Sequence, residues 1–129
     1  MKILALDLGE KRTGLALLKE GFILGAGVIA GYQNLEKMFT QLAGVIKKEN
    51  VTRAVYGLPC SKSGEQEKKY KAIAQQISQR YQLPLEGVNE TLTTVEAQRR
   101  GGKQCDDNEE AAKIILEDYL NSLTSKNKS

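Results

Sequence analysis

The chain predicts an α/β domain on a mixed five-stranded sheet, in the order βββαβαβα, with helices on both faces. Three observations carry that expectation. A wholly apolar run, Ile3 to Leu6, ends on Asp7 and returns through a polar turn into a second apolar run. A third strand-like segment follows after Lys19-Glu20-Gly21. Beyond residue 31, segments of helical periodicity alternate with short apolar runs, which is the pattern of parallel strands joined by helical crossovers.

The first strand has no polar alternation, so both of its faces are expected to be covered. Gly9 and Glu10-Lys11-Arg12 make the turn, and Thr13 to Leu18 resumes as the second strand of a hairpin. Phe22 to Ile29 reads as the third strand, with Gly25 and Gly27 marking a bulge or a close approach. Leu35, Met38, Phe39, Leu42, Val45 and Ile46 share one face of a helix ending near Asn50. Thr52 to Pro59 is the fourth strand, and the polar loop Cys60 to Gly64 follows it. Ser63 and Gln66 form a capping box for a helix with Tyr70, Ile73, Ile77 and Tyr81 on one stripe. Leu83 to Val88 is the fifth strand, leading into Asn89-Glu90-Thr91 and a short helix that ends at Arg99-Arg100-Gly101-Gly102. The last helix opens in Asp106-Asp107-Asn108-Glu109-Glu110, with Ala111, Ala112, Ile115 and Tyr119 on its core face. Residues 1–121 are expected to form one domain and residues 122–129 a disordered basic tail.

Composition excludes several chemistries. The 129 residues contain no histidine, so a Ser-His-Asp triad, a Cys-His dyad and a Cys/His zinc site are ruled out. Cys60 and Cys105 are the only cysteines and are far apart, which fits a reducing, cytoplasmic compartment. The N-terminal run is unlike a signal peptide, and no apolar stretch reaches membrane-spanning length. A net charge of +3 allows a nucleic-acid partner without demanding one.

In such a sheet the carboxyl ends of the parallel strands face one crevice. Asp7 ends the first strand and Glu90 follows the fifth, so two acids and the loop after Pro59 converge on one edge. Without histidine, that set favours oxygen-ligated divalent cations and phosphoryl chemistry. The alternatives are that Asp7 is a solvated turn residue and that Glu90 caps the short helix.

The segments LALDLGEKRTGLAL, YGLPCSKSGE, NETLTTVEA and AAKIILEDYL, in that order over residues 1 to 120, resemble the YqgF/RuvX family of Holliday junction resolvases, also described as pre-16S rRNA nucleases. The resemblance implies a ribonuclease H-like fold. It further implies hydrolysis of a phosphodiester in structured pre-rRNA or branched DNA by two Mg²⁺ or Mn²⁺ ions held on carboxylates. Asp7 and Glu90 match the first two ligand positions. Counting back from Tyr119-Leu120, the helix-opening aspartate of the family falls on Asn108. The implied catalytic set is therefore Asp7, Glu90 and Asn108, with Asp107 the third metal ligand if the helix starts in a shifted register.

Two further departures concern phosphate contacts. Asn89-Glu90-Thr91 stands where the family has Asp-Glu-Arg, and GGKQCDD between Arg100 and Asn108 replaces a longer, lysine-rich loop. Lys11, Arg12, Lys62, Arg99 and Arg100 remain as candidate phosphate contacts. The expected protein is a monomer or weak homodimer with no membrane association. Its competing reading is a catalytically weakened or inactive nucleic-acid-binding factor in ribosome maturation. A two-domain ATPase with a similar Asp-x-Gly hairpin does not fit 129 residues.

Overall fold

A computed structural model describes residues 2–58, 65–89 and 108–128, with the backbone alone at 66, 89, 108 and 124–128. The elements are β1 (Ile3–Asp7), β2 (Arg12–Lys19), β3 (Phe22–Ala30), a 3-10 turn (Tyr32–Asn34), α1 (Leu35–Glu49), β4 (Arg53–Leu58), α2 (Glu65–Tyr81), β5 (Leu85–Asn89) and α3 (Asn108–Lys128). The sheet order is β3-β2-β1-β4-β5. β1, β2 and β3 form an antiparallel meander, while β4 runs parallel to β1 and β5 parallel to β4. This is the mixed sheet that the element order predicts.

Strand alternation divides β1 between two cores. Leu4 and Leu6 pack with Met38, Phe39 and Leu42 of α1 and Ile73, Ala74 and Ile77 of α2. Ile3 and Ala5 pack on the opposite face with Ala112, Ile115, Leu116 and Tyr119 of α3. The unbroken apolar run of β1 follows from this double cover, each buried leucine or isoleucine contributing about 1.5–3 kcal/mol. Leu116, fully buried, takes the deep position expected of Ala111, which is only partly buried.

The helix ends are chemically explicit. Asn34 Oδ1 accepts the Lys37 N–H at 3.2 Å, and Asn50 ends α1 in the left-handed region at φ 55°. Gln82 does the same for α2 at φ 49°, and the Leu83 N–H then donates to Ser78 O at 3.2 Å. Leu83 is buried as part of that stop signal, which is why β5 begins at Leu85 and not at Leu83 as the apolar pattern suggests. Pro84 offers no N–H to a ladder, but its carbonyl accepts from Ala54 N–H at 2.9 Å. At the C-terminus, the α3 backbone stays helical to Lys128, across the segment expected to be a disordered tail. No glycine or proline follows Gly102 to stop it.

The bulge expected in the third strand is present. Leu15 pairs with Gly27 and Ala16 with Gly25, so Ala26 is the extra residue. Gly27 has φ +94°, and its N–H donates to Glu109 Oε2 at 2.8 Å. A Cβ on Gly25 would collide with the same carboxylate. The first turn of α3 is thus fastened to β3 by Glu109, a residue whose charge the sequence explains only as favourable at a helix N-terminus. Glu109→Ala is expected to lower unfolding free energy by about 1–2 kcal/mol through loss of a charge-assisted hydrogen bond. Gly25→Ala is expected to cost about 1–3 kcal/mol by overpacking. Because removing the carboxylate makes room for the new methyl group, the double variant should cost clearly less than the sum in urea denaturation.

Candidate active-site edge

β1, β4 and β5 are parallel, so Asp7, Leu58 and Asn89 end at the same edge. Asp7 follows Ile3 and Ala5 in the alternation and therefore belongs to the face covered by α3, where it is half-buried. Its partner on β2 is Gly14. On the other side, the register Leu6↔Tyr56, continued by one residue, sets Gly57 level with Asp7. Neither strand beside Asp7 places a side chain next to its carboxylate.

The turn after Asp7 is held firmly. Leu8 is buried in the α1–α2 core, and Gly31, Tyr32 and Gln33 donate backbone N–H groups to Lys11, Gly9 and Glu10 carbonyls at 3.0, 2.9 and 2.8 Å. A Cβ at Gly9 would strike the Arg12 carbonyl, and one at Gly31 the Gly9 and Glu10 backbone. The close crossing of these two segments requires glycine at both places. Lys11 and Arg12 are exposed on the turn.

Two contacts orient α3. Near its far end, the Tyr119 hydroxyl accepts from Arg53 Nη1 at 2.9 Å, at the beginning of β4. At its start, Glu109 reaches the bulge, close to the level of Leu6 on β1. The helix therefore runs antiparallel to β1, and its N-terminus comes to the edge where Asp7 ends. Asn108 is the first residue of α3, one turn before buried Ala112. The structure thus brings Asp7 and the start of α3 to one place.

Glu90 directly follows the last residue of β5 but lies outside the described residues, as do Asp107, Lys62, Arg99 and Arg100. The loop Cys60 to Gly64, the Ser63 cap and the short helix before Gly101-Gly102 are also outside them. Among the described residues there is no group of three or more His, Cys, Asp or Glu side chains able to hold a metal. The donor that is described, the Asp7 carboxylate in a chain without histidine, has the hard-oxygen chemistry of Mg²⁺ or Mn²⁺. No helix among the described residues is long and apolar enough to cross a membrane.

On the opposite face of the same edge, Tyr56 is buried, and burial first and Glu67 second raise its phenol above the ordinary pKa of 10.0. The native state then holds this proton more tightly than the unfolded chain. Stability from this group is complete below pH 10 and is lost as pH rises through the folded pKa. Tyr56→Phe should flatten the alkaline limb of a stability–pH profile measured by urea denaturation.

A mixed sheet of this order, with an aspartate ending its central strand and a helix N-terminus brought to it, defines a domain of the ribonuclease H-like class. RuvC of Thermus thermophilus has this fold, with a TM-score of 0.60 at 12% identity over 90% of this chain and 92% of its own. The T. thermophilus RuvC structure in complex with a Holliday junction substrate matches with a TM-score of 0.59 at 10% identity, over 90% of each chain. This chain belongs to the RuvX family, whose model, described as Holliday junction resolvase, matches residues 1–122. A relative from Dictyoglomus turgidum, named as a candidate pre-16S rRNA nuclease, is 35% identical over 96% of this chain and 96% of its own.

Proposed function

We propose that the chain is a cytoplasmic, metal-dependent nuclease that hydrolyses phosphodiester bonds in nucleic acid, with structured precursor rRNA as its first substrate and branched DNA as the second. The observation that carries this reading is Asp7, half-buried at the parallel-strand edge, between two glycine positions and at the start of α3. Membership of the RuvX family and the name carried by the D. turgidum relative support the choice of substrate. Asp7, Glu90 and position 108, or Asp107 beside it, would hold Mg²⁺ or Mn²⁺. Bound there, the cation would supply a lowered pKa for an attacking water and charge stabilisation for the leaving oxygen. Asp7 and Glu90 bring the negative charge that retains it. Lys11 and Arg12, with Lys62, Arg99 and Arg100, would neutralise substrate phosphates.

A second reading, a binding factor with weakened or lost catalysis, is favoured by one feature, the uncharged Asn108 at the start of α3. One assay separates the two. End-labelled precursor rRNA and a four-way DNA junction are incubated with the purified chain in Mg²⁺, in Mn²⁺ and in EDTA. Cleavage that needs the cation supports the nuclease reading, and equal cleavage in EDTA sinks it. Salt-sensitive binding with no product in any lane selects the second reading.

A further inference from the structure

We infer that Tyr32, Tyr70, Lys68 and Lys69 form a second nucleic-acid contact, a stacking platform for an unpaired flank of the substrate on the α1–α2 side of the same edge. The identity of that strand as substrate rests on the nuclease reading above.

Tyr32 opens the 3-10 turn, and its N–H bonds to Gly9 O at 2.9 Å, so the residue is anchored to the very turn that follows Asp7. The Tyr70 ring stands 5.9 Å from it at 61°, an edge-to-face pair, and Lys69 Nζ lies 5.1 Å from the Tyr32 ring centre. Both tyrosines pack against the core yet remain partly exposed, so each offers a braced ring with a solvent side. The other cation–π pair of α2 is different in kind, since Arg80 lies over Phe39, which is buried.

Charge around the rings suits a phosphate backbone. Lys68, Lys69 and Lys71 are exposed on α2, and Lys71 is paired with Glu67 at 3.3 Å. Lys68 and Lys69 make no ion pair within 4.0 Å among the described residues. Lys11 and Arg12 are exposed on the turn that Tyr32 touches. Cations therefore flank two adjacent aromatic rings, the combination by which proteins hold single strands, with bases on the rings and phosphates on the lysines. None of the four residues is conspicuous in the sequence, where Tyr70 reads as core and the lysines as a solvated face.

The test is fluorescence anisotropy of a labelled twelve-nucleotide oligouridine in EDTA, across a salt series. Tyr32→Leu, which keeps apolar packing but removes the stacking face, should weaken binding about tenfold, and Tyr32→Phe should restore it. Lys68→Glu/Lys69→Glu should weaken it about as much and reduce the salt slope by about one. Circular dichroism melting of each variant identifies any that fail to fold, and the exposed lysine pair carries the test if Tyr32→Leu does. No binding by the wild-type chain, or variants within twofold of it, overturns the platform. Because this readout needs no cation and no cleavage, a failed nuclease assay leaves it standing, and a failed platform leaves cation-dependent cleavage intact.

Discussion

Asp7→Asn is expected to lower cleavage of precursor rRNA by about 10³-fold or more while leaving the fold intact. The substitution keeps the size and shape of the side chain and removes only its charge. A metal-activated water and a metal-stabilised leaving oxygen contribute several kcal/mol to the barrier, and each 1.36 kcal/mol is about tenfold in rate. Asp7 is half-buried at a strand end and not sealed in the core, so an amide there carries little packing penalty. Initial rates at saturating Mg²⁺, beside a thermal melt, measure both halves of the expectation. A variant that cleaves like wild type would exclude Asp7 from the chemistry.

Asn108→Asp is expected to tighten Mn²⁺ binding by about ten- to hundredfold. A negative charge added beside a divalent cation contributes about 1.5–3 kcal/mol after its own desolvation is subtracted. The helical repeat places position 108 about 40° around the axis from buried Ala112, on the flank opposite Glu109, which is held at β3. An aspartate in the first turn of α3 also favours the helix electrostatically, so a tighter site should not come with a weaker fold. Calorimetric titration of Mn²⁺ into wild type and variant reads the change. Unchanged affinity would direct attention to Asp107, tested in turn by Asp107→Asn.

Much of this arrangement was legible in the chain. The apolar run into Asp7, the glycine-marked bulge and the periodicities of α1 and α2 each reported a local preference that the sheet preserved. The edge could be foreseen because parallel strands must end together. What was not legible depends on register. Nothing in the sequence pairs Asp7 with Gly14 or levels it with Gly57, since those neighbours follow from how three strands align. Leu83 belonged to a helix stop that requires a left-handed Gln82, a conformation that glutamine does not announce. Glu109 looked like one of several acids at a helix start, and only the bulge 82 residues earlier gives it a partner. The tail was expected to fray on charge alone, whereas the backbone had nothing to interrupt it.

The fastening of Glu109 to Gly27 has a consequence for how the molecule stays soluble. β3 is an outer strand of nine residues without a single charge, and it leaves Phe22, Leu24 and Val28 exposed. A strand of that composition is a template on which other chains could assemble by edge pairing. The bulge breaks its regularity near the middle, and the Glu109 carboxylate occupies one of its N–H groups with a charge that an incoming strand cannot accommodate. The contact that sets where α3 begins thus also serves as a guard against self-association into fibrils.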